Sequence, residues 1–286
     1  MEVRSIGICV KPDQPQLAET IRSLAKWASE RGIEVALDPE AGRWAGGSGT
    51  ARHELAAAVD LIVVLGGDGT LLAVSRAIGQ RRVPILGVNL GALGFLAEID
   101  LADLFPALEG VLGDRFRIEP RMRLEVSVEQ ADAEVARYLA LNDAVIAKTE
   151  LSRIVDLETR VDGFEVTTYH ADGLIVATPT GSSAYSLSAG GPLLLPSFEG
   201  IVLTPICPHT LTQRPLVLSP ACEITVRVED ARGGVVHLTV DGQVGRELAG
   251  QDRVTVRRSD WPALILVPKD RNHFQVMRTK LGWGAR

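Results

Sequence analysis

Leu61–Thr70 reads LIVVLGGDGT. Leu61 to Leu65 form a short apolar run without polar alternation, the pattern of a strand buried on both faces inside a parallel sheet. The run ends in Gly66-Gly67-Asp68-Gly69-Thr70, and Leu71-Leu72-Ala73-Val74 then opens a helix-like pattern. Strand, glycine turn and helix start together predict a phosphate site. Glycines remove the Cβ atoms that would hold a phosphate away, and N–H groups at a helix N-terminus point at it. Gly66, Gly67, Gly69 and Thr70 are the candidate phosphate-binding residues. Asp68 is the odd member, because a carboxylate repels phosphate. Three readings stand open for it: a magnesium ligand, an acceptor for the proton of a reacting hydroxyl, or a cap on the helix.

Upstream, Ser5–Val10 predicts a strand. Gln16 to Arg31 sets Leu17, Ile21, Leu24 and Trp27 or Ala28 on one helical face, and Ile33–Leu37 predicts a second strand. This β-α-β order implies a right-handed crossover and a parallel sheet. Gly42–Thr50 reads as a flexible glycine-rich loop. Downstream, Val83–Asn89 is another buried strand. Its following loop, Leu90 to Leu96, is expected in the same crevice as Gly66–Thr70, beyond the carboxyl ends of the strands. Leu101–Leu112 predicts a helix that Pro106 blemishes.

From about Arg115 the rhythm changes to alternation, as in Leu124-Glu125-Val126-Ser127-Val128. Asp162-Gly163 and Asp241-Gly242 read as hairpin turns. The expected architecture is an α/β N-terminal domain with a parallel sheet over residues 1–117 and an all-β, antiparallel C-terminal domain over 118–266. Asp172–Pro192, DGLIVATPTGSSAYSLSAGGP, is a second stretch of small residues. It either lets a ligand or another backbone approach closely or supplies hydroxyl caps to a helix.

The chain has 286 residues, 46% apolar and 23% charged, with a net charge of −6. That balance argues against nucleic acid or an anionic membrane as partner. No run is long enough to span a membrane. Cys9, Cys207 and Cys222 lack metal-ligand spacing, so a reduced, cytoplasmic protein is expected. There is no G-x-x-x-x-G-K-[ST] loop, no G-x-G-x-x-G fingerprint and no G-x-S-x-G elbow.

Taken in order, these segments resemble the NAD kinase family. Gly66–Thr70 matches its GGDGT, Leu93-Gly94-Phe95-Leu96 its LGFL, and Asn142-Asp143 its Asn followed by an acidic residue. Asp172–Pro192 matches its long signature, Cys207-Pro208-His209-Thr210-Leu211 its CPHTL, and Asp241-Gly242-Gln243 its DGQ. GGDGT alone is shared with lipid kinases, but the set in order is specific. The resemblance implies phosphorylation of the adenosine-ribose 2′-hydroxyl of NAD by ATP, giving NADP and ADP. It implies Asp68 as general base and Gly69 as a backbone contact. Asn142 and Asp143 would bind adenine and ribose, and Asp172 would lie near the nicotinamide amide. Ser183, Ala184, Tyr185, Ser186, Leu187 and Ser188 would form the adenosine pocket, with Tyr185 stacking a ring. Arg153, His170 and Gln243 would make further NAD contacts; His170 stands where an Arg is common. The resemblance also implies a divalent metal ion (magnesium or manganese) with unassigned ligands, and a homo-oligomer, dimer or tetramer. On it alone rests the expectation that the tail, 267–286, returns to the first domain.

Overall fold

The computed structural model describes residues 2–91, 94–149, 154–210, 212–230 and 235–283. The chain divides into two compact units, residues 1–120 with 263–286, and residues 121–262. Along the first run β1 (Ser5–Val10), α1 (Ala18–Ser29), β2 (Glu34–Leu37), α2 (Pro39–Ala45), α3 (Arg52–Ala58), β3 (Leu61–Leu65), α4 (Asp68–Ile78), β4 (Pro84–Asn89), β5 (Ile99–Asp100), α5 (Leu104–Leu112) and β6 (Phe116–Arg121). β1 pairs parallel with β2 on one side and β3 on the other, and β3 continues to β4. The chain thus winds one way from β1 and the other way from β3. That reversal makes a topological switch point, where open α/β sheets bind ligands beyond the strand carboxyl ends. The turn at Gly66 and Gly67 leaves the sheet there. β3 and β4 are buried along their whole lengths, as continuous apolar runs require. α1 lays Ile21, Leu24, Trp27 and Ala28 against the core.

Three elements differ from expectation. α4 begins at Asp68, three residues before the apolar pattern, with Gly67 at its N-cap. α2 covers the start of the supposed loop. Asp38 caps it by accepting from the Ala41 N–H, and Pro39 is pre-set for the first helical position, which together outweigh Gly42. Pro106 sits in the first turn of α5, where no helical hydrogen bond is lost.

The second unit follows with β7 (Leu124–Gln130), β8 (Ala133–Ala140), β9 (Asp143–Lys148), β10 (Val155–Val161), β11 (Phe164–Ala171), β12 (Gly173–Ala177), α6 (Tyr185–Ser188), β13 (Ile201–Ile206), β14 (Leu216–Leu218), β15 (Ile224–Asp230), β16 (Val236–Val240), β17 (Val244–Leu248) and β18 (Arg253–Arg258). Two six-stranded sheets result, β11-β10-β15-β18-β7-β8 and β14-β13-β12-β9-β16-β17. Leu124, Val126 and Val128 of one and Ile146, Leu174 and Leu238 of the other share one core. The reverse face of the second sheet buries Val145, Ile175, Ala177 and Val202 under Ala189 and Leu194. The strand β12 is therefore covered on both faces, which is why Leu174–Ala177 does not alternate.

The last segments are β19 (Ala263–Pro268) and α7 (His273–Leu281). β19 lies between β4 and β6 in the first, seven-stranded sheet and runs parallel to β4. Residues 263–266, expected with the β-rich region, therefore belong to the first unit; LILV is a continuous apolar run, the signature of a parallel strand rather than an alternating one. Among the described residues no helix is long and apolar enough to cross a membrane.

Candidate active site

Each unit carries one constellation of the singled-out residues. In the first, the turn after β3 is held by the Gly66 N–H donating to Val88 O, 2.8 Å. A Cβ on Gly66 would overlap the Thr70 side chain, so glycine and threonine close the turn together. Gly66 and Thr70 are buried, while Gly67, Asp68 and Gly69 reach the surface. Asp68, the first residue of α4, does not spend its carboxylate on that helix. Its Oδ2 accepts from the Phe95 N–H (2.9 Å), and its Oδ1 from the Leu96 and Ala97 N–H groups (3.0 Å each). A Cβ on Gly94 would overlap Oδ1. Phe95-Leu96-Ala97 is thus a backbone clamp on the carboxylate, and glycine is required at position 94, where the loop touches it. Leu93 of that segment lies outside the described residues. Two carboxylate oxygens offer about four lone-pair directions. The three N–H donors leave one, on Oδ2, for a hydroxyl or a cation.

In the second unit, β9 begins at Asp143 opposite the turn between β16 and β17. A cavity of about 450 Å³ opens there, lined by Asn142, Asp143, Val145, Ala147, Ala184, Tyr185, Thr239, Asp241 and Gly242. Burial, and then the charge of Asp241, push the Asp143 carboxyl up to about 7. Tyr185 presents an exposed ring at the cavity. The small-residue stretch packs beneath. Thr178 Oγ1 donates to Leu141 O (2.6 Å), and the Thr178 N–H to Asn142 O (2.8 Å). A Cβ on Gly181 would overlap the Asn142 backbone. Ser182 bonds Pro179 O and Leu194, Ser183 bonds Thr180 O, and the buried Ser186 hydroxyl meets Thr204 Oγ1 at 3.0 Å. Of the expectations for this stretch, close approach of another backbone is met where Gly181 touches Asn142, whereas α6 has no side-chain cap and the Ser182 and Ser183 hydroxyls bond local carbonyls instead.

The remaining candidates stand apart from the cavity lining. Asp172 pairs with Lys148 Nζ at 2.7 Å. The half-exposed His170 on β11 meets Asp156 Oδ1 through Nδ1 at 2.6 Å, a cross-strand pair. Gln243 is exposed in the β16–β17 turn, and Leu187 and Ser188 belong to α6. Arg153 lies outside the described residues. Sequence reasoning missed the clamp by residues 95–97, Thr178, and the carboxylate of Asp241, which the Asp-Gly turn signal concealed. Among the described residues no group of three His, Cys, Asp or Glu side chains gathers to hold a metal. A lone Asp68 with one open lone pair fits the way magnesium is bound beside phosphates, through one or two carboxylates with phosphate oxygens and waters completing the shell.

Residues 6–116 match the profile of the ATP-NAD kinase N-terminal domain, and residues 141–267 that of the ATP-NAD kinase C-terminal domain. An NAD kinase of Geobacter sulfurreducens is 47% identical over 285 residues, covering 99% of this chain and 100% of the relative. An NAD kinase of Solibacter usitatus is 45% identical, with 99% of each chain covered. Among solved structures, yeast NADH kinase complexed with NADH superposes with a TM-score of 0.92 at 26% identity, covering 100% of this chain and 89% of the other. An NAD kinase from Archaeoglobus fulgidus in complex with ATP gives 0.74 at 27% identity, covering 96% and 98%.

Proposed function

The chain belongs to the ATP-NAD kinase family, and from that membership we propose that Asp68 is the general base for transfer of the ATP γ-phosphoryl group to the adenosine-ribose 2′-hydroxyl of NAD. The reaction is ATP + NAD → ADP + NADP. The new bond joins O2′ to the γ-phosphorus, the bond from that phosphorus to the bridging oxygen of ADP breaks, and the hydroxyl proton passes to Oδ2 of Asp68. One observation carries the assignment: three N–H donors fix the Asp68 carboxylate at the sheet's switch point and leave one lone pair open on Oδ2. A carboxylate that merely capped α4 would not be turned toward another loop.

Gly67 and Gly69 leave the first turn of α4 open to polyphosphate. In the second unit, Asn142 and Asp143 hold adenine and ribose and Tyr185 stacks on the base. Ser183, Ala184, Ser186, Leu187 and Ser188 frame that pocket. Arg153, His170, Asp172 and Gln243 make further NAD contacts, a reading supported by the family pattern alone. A divalent cation, magnesium or manganese, would be held by the substrate phosphates and would neutralise charge on the transferring group, leaving Oδ2 of Asp68 to the hydroxyl. The functional form is a cytoplasmic homo-oligomer, dimer or tetramer.

The test is NADP formation from ATP and NAD by the purified protein, read with an NADP-specific dehydrogenase. Steady NADP accumulation that depends on both substrates and on a divalent cation is expected. A phosphorylated lipid or sugar with no NADP would overturn the reading.

A further inference from the structure

The carboxylate of Asp241 gathers three consecutive backbone donors at the mouth of β9. Oδ2 accepts from the Leu141 N–H (3.1 Å), and Oδ1 from the N–H groups of Asn142 (2.7 Å) and Asp143 (3.3 Å). The Asp241 N–H returns a bond to Asp143 O at 2.9 Å, and Thr178 satisfies Leu141 O and Asn142 O. All six backbone polar groups of residues 141–143 are thereby tied, four of them by Asp241 and two by Thr178. The Asn142 and Asp143 side chains project from this fixed backbone into the 450 Å³ cavity.

A turn does not require this arrangement. Asp241 and Gly242 have φ of 52° and 66°, and Asn or Gly meets that demand as well as Asp. Instead a second carboxylate is buried beside Asp143, with 7% and 4% of the two residues exposed. Two like charges in a buried site oppose each other's ionisation. Arg123, itself buried, is pulled down to about 10 by burial, against which the charge of Asp241 works. Its Nε donates to Trp261 O at 2.5 Å. The charged and titratable groups about Asp143 are thus Asp241 from the β16–β17 turn, Arg123 acting on Asp241, and Tyr185 across the cavity.

We propose that Asp241 is a positioning residue for NAD binding, acting through the backbone of Leu141–Asp143 and through its charge on the Asp143 carboxyl. The proposal rests on Asn142 and Asp143 being NAD contacts. Asp241 does two jobs at once. Its acceptors hold the two contact residues in register, and its charge keeps Asp143 protonated to higher pH, so that NAD binding is linked to a proton near neutrality.

The experiment measures kcat and KM for NAD between about pH 5.5 and 9 in the full-length wild type, Asp241→Asn and Asp143→Asn, with NAD binding followed by calorimetry. The wild type is expected to show a bend in log KM near pH 7, which Asp143→Asn removes. Asp241→Asn keeps the shape but loses one acceptor and the charge. KM should rise about tenfold or more, the range of a charged hydrogen bond, with kcat within a few-fold. Its bend should move to lower pH without reaching the ordinary Asp range, because burial remains. A merely structural residue would not move the bend. A wild type that makes NADP, with an Asp241→Asn variant of unchanged KM and unchanged bend, overturns the proposal. If Asp241→Asn does not fold, the wild type and Asp143→Asn decide: a bend that survives Asp143→Asn overturns it, and a bend lost supports it. A wild type making no NADP instead refutes the kinase reading itself.

Discussion

Asp143 is a carboxyl that the fold keeps against its chemistry. In the folded chain it holds its proton up to about pH 7, chiefly through burial and then through Asp241. In an unfolded chain an Asp carboxyl releases its proton near ~3.9. Between those values the folded state binds a proton that the unfolded state has lost, so this residue makes stability fall as pH rises through the window and level off above it. Asp143→Asn removes the ionisation. The variant should therefore melt higher than the wild type at about pH 8, by less at pH 6, and with little difference at pH 4. Thermal melts at the three pH values test this, and a gap that is constant with pH contradicts it. The cation Arg123 and the donors on residues 141–143 stand beside the same pair, so the residue-level electrostatics of this cavity are set by groups about a hundred positions apart in sequence. That separation is why Asp143 was legible in the sequence only as part of a resemblance, and Asp241 only as a turn and a motif letter, not as the partner of Asp143.

At the level of elements, what could be read was what is local. The unbroken apolar run Leu61–Leu65 marked β3, and Leu124-Glu125-Val126-Ser127-Val128 marked β7, because burial on two faces or one leaves a direct trace in polarity. The Asp162-Gly163 turn was legible because both residues need positive φ, and they have it at 51° and 80°. Pairings across long separations left no such trace. β19 between β4 and β6 was not legible, and neither was the clamp on Asp68, since backbone N–H groups carry no sequence signal. Gly94 was visible as a motif letter and as part of the loop expected beside Gly66–Thr70; its role is to let that loop touch Asp68. Gly94→Ala inserts a Cβ into Oδ1 and must push the carboxylate or the loop aside. Misplacing a catalytic group by about 1 Å lowers rate roughly a hundredfold. Gly94→Ala is accordingly expected to lower kcat to that extent while leaving NAD affinity nearly unchanged. Steady-state kinetics beside calorimetry check it, and wild-type kcat in this variant would show that the clamp does not matter.

On the scale of the whole molecule, the chain belongs to a kinase family along both of its units, and each unit carries one constellation of candidate residues. The first unit supplies a clamped carboxylate and an open helix N-terminus at the switch point of a parallel sheet. The second supplies a cavity lined by Asn142, Asp143 and an exposed Tyr185, on the face of β9 that carries Val145 and Ala147. If chemistry belongs to Asp68 and nucleotide affinity chiefly to the second unit, the two must separate under mutation. Asp68→Asn is the direct measurement, with NADP formation and NAD binding by calorimetry followed on the same preparation. The amide keeps the shape but cannot take the proton, and positioned general bases contribute roughly 10²–10⁴-fold. A fall in kcat of at least about a hundredfold, with NAD affinity within a few-fold of wild type, is the predicted result. Activity within a few-fold of wild type, or a collapse of NAD binding, would contradict the assignment of Asp68 as the base.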